Sequence, residues 1–192
     1  MTDPRIAKLA RVLVRYSLGL HAGDLLFIRT TPLAAPLVRE LYREALAVGA
    51  HLYTRIILEE AEEAFYKYAS DAQLDYVSPL LRGEYEHPRA LLAIEAEQNR
   101  KNLSGIAPAR ISRRLSATQE MNRIIYTREM AGEMVWTRTQ FPTEAAAQDA
   151  DMSLADYENF VYGAGKLGED DPVAAWQTVQ REQQRIADIL NT

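Results

Sequence analysis

The sequence predicts an α/β domain of three layers, with a mainly parallel central sheet of about four or five strands. Short apolar runs alternate with amphipathic segments at helical spacing, and glycine or proline separates most of them. Strands that alternate with helices favour parallel pairing, because each helix carries the chain back across the sheet. Since 192 residues are within the size of one core, we expect a single domain over residues 1–192, with a helical extension from about residue 142.

The first helix–strand unit occupies the N-terminal 28 residues. Asp3-Pro4 predicts a helix start, because aspartate can cap free backbone amides and proline fits the first helical position. Gly19 and Gly23 end this helix, and the apolar run at residues 25–28 predicts a short buried strand.

A second unit repeats the pattern. Thr31-Pro32 predicts the cap of a helix, Gly49 stops that helix, and residues 51–58 predict the second strand. The remaining predicted elements are a helical zone at 59–84, a strand at 90–97, a helix at 108–127 and a strand at 133–139.

After Pro142 the sequence predicts only helices. Ser153 and Asp156 have the spacing of a capping-box variant, and Asp171-Pro172 predicts the start of the last helix. No glycine stops that helix before Thr192, so we expect it to belong to a longer chain.

Composition excludes several kinds of protein. The absence of cysteine excludes disulfides, thiol catalysis and thiolate metal sites. No apolar run approaches the ~20 residues of a membrane helix, and the N-terminus has no signal-peptide core, so we expect a cytoplasmic protein without a membrane partner. A net charge of -5 argues against general binding to nucleic acid.

Charge is unevenly distributed along the chain. Residues 100–128 hold seven basic side chains against one acid, whereas residues 141–171 hold eight acids against one lysine. This asymmetry predicts contact between the two segments, or contact with a partner. Arg110, Arg113 and Arg114 share one helical face, which indicates a solvated or ion-paired face, or alternatively an interface or anion site.

Glu95 and Glu97 are the first candidates for chemistry. Two apart on a predicted strand, they would share one face and could share a metal or a proton, or they are only the polar end of a buried strand. His21, His51 and His87 show no metal-binding spacing, no G-x-G-x-x-G follows the first predicted strand, where a dinucleotide-binding loop would lie, and no G-x-S-x-G motif is present. Ligands of open α/β sheets bind beyond the carboxyl ends of strands, so we expect a polar rim there, formed by Glu97, Asn99 and Arg100.

Three blocks carry a family resemblance. VRYSLGLHAGDLLFIR (14–29), AEQNRKNLSGIAPARISRR (96–114) and TRTQFPTEAAAQDADMSLADYENFVYGAG (137–165), followed by DDPVAAW (170–176), resemble the N-terminal half of the aminopeptidase T and aminopeptidase S family. The resemblance implies a cytoplasmic, homodimeric exopeptidase that acts on peptides with two divalent metals, cobalt or zinc.

The resemblance also implies that the metal ligands and catalytic residues belong to a C-terminal half, for which this chain would be the scaffold and partner. No catalytic or metal-binding residue is therefore assigned here, and we expect the isolated chain to be inactive. The alternatives are a free-standing α/β module that binds an anionic small molecule near Thr30, Thr31 and Arg100, or a short interaction protein.

Overall fold

The computed structural model describes residues 3–191 and confirms the α/β class. Within these residues the strands form one parallel sheet in the order β2-β1-β3-β4. The strands are β1 (Leu25–Thr30), β2 (His51–Ile56), β3 (Ala90–Glu95) and β4 (Val135–Gln140).

Helices cover both faces of the sheet and make up the C-terminal segment. The predicted helical zone at 59–84 consists of three short helices, and the region after Pro142 is helical as expected. The helices are α1 (Pro4–Val12), α2 (Ala35–Ala47), α3 (Glu59–Tyr68), α4 (Asp71–Asp75), α5 (Pro79–Glu86), α6 (Pro108–Met130), α7 (Glu144–Asp149), α8 (Leu154–Ala164) and α9 (Pro172–Leu190).

Local sequence signals explain most helix ends. The Asp3 carboxylate accepts a hydrogen bond from the Arg5 amide at 2.8 Å, which confirms the predicted cap of α1. Ser153 Oγ likewise accepts from the Asp156 amide at 3.1 Å at the start of α8. Gly49 ends the turn after α2 with φ +83°, a conformation that glycine adopts without steric cost.

Thr31 lies at the predicted N-cap position, directly before Pro32, but its side chain does not act as the cap. A short 3-10 turn (Pro32–Ala34) precedes α2, and the Thr31 hydroxyl caps neither helix. It donates instead to the carbonyl oxygen of Ala96, beyond the end of β3. The Thr31 hydroxyl therefore forms a long-range hydrogen bond instead of the local one expected at the start of a helix.

Each sheet face packs on its own cluster of apolar side chains. Leu26 and Ile28 of β1, together with Leu92 of β3, face α1 and α2 in the larger cluster. Phe27 and Leu91 point to the opposite face. There the cluster is completed by Tyr85 of α5, Met121 of α6 and Met134. Three layers follow from this alternation, because successive side chains of a strand leave on opposite faces.

Helix α9 leaves the packed layers along its length. Trp176 near its start stacks on Tyr16, with ring centroids 6.0 Å apart, and its indole donates to the Gly165 carbonyl. Further along, Ile186 and Leu190 are exposed. None of the helices in residues 3–191 combines the length and apolar character needed to cross a membrane.

Candidate functional site

The strand order creates a reversal point between β1 and β3, where open α/β sheets usually bind their ligands. The chain closes this point with its own hydrogen bonds. Thr30 Oγ1 donates to the Ile94 carbonyl at 3.1 Å, and the Thr31 hydroxyl donates to the Ala96 carbonyl. Both threonines are buried. Their hydroxyls therefore join two strands and do not face an incoming ligand.

The two carboxylates of the predicted third strand have different surroundings. Strand β3 ends at Glu95, two residues earlier than predicted, and the Glu95 carboxylate accepts from Arg138 at 3.0 Å. Glu97 lies beyond the strand, and its buried Oε2 has no hydrogen-bond partner among residues 3–191. Since Glu95 is held by an arginine of β4, the structure gives no support to a shared metal or proton.

The other two members of the predicted polar rim are exposed and bonded within the chain. Asn99 Oδ1 accepts from the Lys101 amide at 2.9 Å, as in a polar turn. Arg100 forms an ion pair with Asp149 at 3.6 Å. These contacts do not favour the anion site anticipated near Thr30, Thr31 and Arg100. A binding role for Glu97, Asn99 and Arg100 stays a prediction.

The arginine face of α6 is engaged by the neighbouring helices α3 and α4. Arg110 donates to the carbonyls of Tyr66 and Ala69, and Arg114 donates to those of Leu74 and Tyr76. These hydrogen bonds hold the polypeptide between α3 and α5 against α6.

Arg113 holds the same segment through ion pairs with two aspartates of α4. It contacts Asp71 at 2.7 Å and Asp75 at 2.6 Å, and the nearby guanidinium lowers the pKa of Asp75 through hydrogen bonding. An interface role for Arg110, Arg113 and Arg114 stays a prediction. Contact between the basic segment (100–128) and the acidic segment (141–171) was also expected. Among the ion pairs of the described residues, only Arg100 with Asp149 joins the two segments.

Another group of charged side chains lines an open cavity on the α5–α6 side of the sheet. We call this cavity of about 720 Å³ the arginine basin. Arg29 of β1 and Arg55 of β2 enter it from neighbouring strands, where they are paired in the sheet register. Arg114 of α6 and Glu62 of α3 enter it from the helices.

Most of the basin's arginines are held by groups of the chain. Arg55 forms an ion pair with Glu84, which also accepts from the Tyr53 hydroxyl at 3.2 Å. Arg114 is bonded to backbone carbonyls of α4 and the turn after it. Arg29 differs, because its exposed guanidinium makes no hydrogen bond or ion pair with any residue in the range 3–191.

Glu62 is the acidic counterpart in the basin. Surrounding protein desolvates its carboxyl and raises its pKa, while Arg29 and Arg55 act in the opposite direction and Glu59 reinforces the rise. The residue as a whole is nevertheless exposed. No nitrogen of a cationic side chain among the described residues approaches its carboxylate within 4.0 Å. The basin is thus lined by one cation and one anion that pair neither with each other nor with another described residue.

No motif in the sequence marks Arg29, Arg55 or Glu62 as functional residues. The available signal was an arginine near the end of each of the first two strands, in LLFIR and LYTRI. Their adjacency depends on the register that pairs Arg29 with Arg55, and the sequence alone does not give that register.

Comparisons with known proteins give the family context. A family model described as thermophilic metalloprotease (M29) matches residues 2–192. Aminopeptidase 2 from Geobacillus stearothermophilus is 29% identical over 210 residues, a match that covers 98% of this chain and 48% of that protein. The solved structure of wild-type AmpT from Thermus thermophilus matches with a TM-score of 0.77 at 20% identity, over 97% of this chain and 48% of that one, which supports the fold. The chain spans about half the length of these two relatives.

Proposed function

Because the chain belongs to the thermophilic metalloprotease (M29) family, we propose that it is the N-terminal half of a metal-dependent aminopeptidase that removes N-terminal residues from peptides. The observation that carries this proposal is a family match along residues 2–192 in a chain that covers only 48% of aminopeptidase 2. In this proposal the α/β domain is a scaffold for a catalytic half, and the complete enzyme is a cytoplasmic homodimer.

The residues that the structure describes do not fit the metal centre that the family implies. Within residues 3–191 no group of three or more His, Cys, Asp or Glu side chains is placed to hold a metal ion. Activation of water by two metals requires such a shell of ligands around both ions. In this proposal the two divalent ions, cobalt or zinc, belong to the half of the longer relatives that this chain does not cover.

Hydrolysis of an aminoacyl chromogenic substrate tests the proposal directly. The purified 192-residue chain, shown to be folded by circular dichroism, is assayed with added cobalt or zinc, and full-length aminopeptidase 2 serves as the positive control. We expect no metal-dependent hydrolysis by the chain alone and no tight binding of either ion by calorimetry. Metal-dependent turnover by the chain, or two tightly bound ions per chain, would show that the scaffold assignment is wrong.

The alternative of a free-standing module for anionic small molecules would depend on the unpaired guanidinium of Arg29, although the Glu62 carboxylate in the same cavity opposes a purely anionic ligand. A ligand that binds only the folded state raises the melting temperature by mass action. Under this alternative, inorganic phosphate or a nucleotide stabilises the chain, whereas a scaffold without a ligand site shows no response to either compound.

A further inference from the structure

We propose that the arginine basin binds the zwitterion of a free amino acid or short peptide with an apolar side chain, its carboxylate at Arg29 and its ammonium group at Glu62. This site lies in the cavity among α3, α5, α6 and the sheet. Binding there does not depend on the proposed peptidase function.

The carboxylate end is recognised by Arg29. A guanidinium offers several N–H donors in a planar fork that matches a carboxylate, and here no residue of the described range occupies them. Arg55 lies beside it in the register, so the local potential stays positive even though Glu84 is bound to Arg55. Asn122 and Gln119 also line the basin, and their side-chain amides are hydrogen-bond donors.

The ammonium end is recognised by Glu62. Its carboxylate lines the same cavity and has no ion-pair or hydrogen-bond partner among residues 3–191, so its acceptor positions are available to an amine. Arg29 is close enough to influence the Glu62 carboxyl electrostatically, yet the two groups do not come within ion-pair distance. A ligand that carries both charges can therefore lie between them and bond to each.

This arrangement selects a zwitterion over a purely anionic ligand. An inorganic phosphate at Arg29 would stand near the unpaired carboxylate of Glu62, which opposes a second negative charge. Among the described residues no glycine lines the basin, so no glycine-rich loop brings backbone amides to a phosphate there.

Apolar side chains of the basin are available to contact the apolar side chain of the ligand. Leu81, Leu115 and Met121 line the basin beside its charged groups. A smaller cavity of about 220 Å³ adjoins it, shares Arg29, Tyr85 and Asn122 with it, and continues to Trp136. The combined groove has room for a leucine-like side chain and for a second residue of a short peptide.

Binding is tested with four probes on the purified chain: L-leucine, leucinamide, 4-methylpentanoate and inorganic phosphate. Leucinamide lacks the carboxylate and 4-methylpentanoate lacks the ammonium group, while both keep the apolar side chain. We expect leucine at a hundredfold excess over its dissociation constant to raise the melting temperature by about 5–10 °C. At the same concentration we expect no shift from the other three probes.

Variants assign the binding to the two charged groups. Arg29→Gln and Glu62→Gln should each abolish the leucine-induced shift. The matched controls are Arg123→Gln on the outer face of α6 and Glu60→Gln on α3, which remove equal charges outside the basin and should keep the full shift. Circular dichroism of each variant without ligand shows whether it is folded. Where a basin variant does not fold, Arg29→Lys, which keeps the charge and loses the fork, should weaken leucine binding severalfold.

Each contrary result overturns the inference. No response to leucine up to its solubility limit, monitored also by amide chemical shifts, would mean that the basin binds no zwitterion. Equal binding of leucinamide or 4-methylpentanoate would remove the need for both charges. A response to phosphate alone would identify an anion site. Failure of any of these tests leaves the hydrolysis result of the isolated chain unaffected, so the two proposals can be judged separately.

Discussion

Replacing Thr30 and Thr31 by valine should destabilise the junction between β1 and β3 without changing its shape. Valine has nearly the same outline as threonine, but it carries a methyl group in place of the hydroxyl. The substitutions therefore remove the hydrogen bond from Thr30 to the Ile94 carbonyl, at 3.1 Å, and the bond from Thr31 to the Ala96 carbonyl.

The cost follows from the burial of both bonds. Thr30 is 2% exposed and Thr31 is 8% exposed, so water does not readily replace either donor. Loss of one ordinary hydrogen bond costs about 1 kcal/mol, and a buried acceptor left unsatisfied costs about 1–3 kcal/mol. The larger figure applies to Thr31→Val, because the Ala96 carbonyl lies beyond the paired residues of β3. We expect about 2–4 kcal/mol for the double variant, which lowers the melting temperature by roughly 5–15 °C.

Urea unfolding followed by circular dichroism measures this difference, and a thermal melt checks it. Thr127→Val on the exposed face of α6 is the matched control and should stay within about 0.5 kcal/mol of the unsubstituted chain. A double variant as stable as the control, with an unchanged denaturant slope, would show that the two hydroxyls do not hold the strands together.

Three further outcomes are expected. Leu74→Ala should cost about 2–5 kcal/mol in urea unfolding, because Leu74 is 0% exposed between Tyr66 and Ile106, and a loss below about 1 kcal/mol would contradict this packing. Burial raises the pKa of Tyr162 from 10.0 to about 12, so the folded state keeps this proton where the unfolded state loses it, and stability should fall from pH 10 to pH 12. Thermal melts of Tyr162→Phe should lack this component of the slope. Desolvation raises the pKa of the Glu62 carboxyl above 4.5, so its contribution to stability falls as pH rises from below 4.5 toward neutral. In urea unfolding, Glu62→Gln should therefore be slightly more stable than the unsubstituted chain near neutral pH and equal to it well below pH 4.5. A Glu62→Gln effect that is larger in acid than at neutral pH would reverse the assigned direction.

Local patterns predicted the secondary structure closely in the first half of the chain. The predicted strand starts at residues 25, 51 and 90 agree with β1, β2 and β3. Strand ends were less accurate, since the predicted strands at 51–58 and 90–97 end at Ile56 and Glu95. Apolar residues mark where a strand is buried, whereas its last pairing depends on how far the neighbouring strand extends.

Thr31 illustrates why a local signal can fail. The dipeptide Thr31-Pro32 is typical of a helix cap, and proline does begin the turn before α2. The hydroxyl nevertheless bonds to a carbonyl 65 residues away, because β1 and β3 are neighbours in the sheet. Sequence spacing contains no information about that neighbour.

The arginines also show that local spacing predicts a residue's position on its element but not its partner. The helical spacing of Arg110, Arg113 and Arg114 correctly placed them on one face, but their acceptors on residues 66–76 became known only from the packing of α6 against α3 and α4. Arg29 and Arg55 carried no motif at all. They became candidates because the parallel register sets one beside the other.

The sequence by itself determined which segments become helices and strands, that the sheet is parallel, and the family resemblance, since these depend on hydrophobic period, capping residues and residue order within short blocks. Only the tertiary structure decided that the hydroxyls at the reversal point are engaged by carbonyls, that Glu95 is held by Arg138, and that Arg29 and Glu62 face one cavity unpaired. The physical reason is that a side chain's partner is fixed by strand order and helix packing, which bring together groups that lie tens of residues apart along the chain.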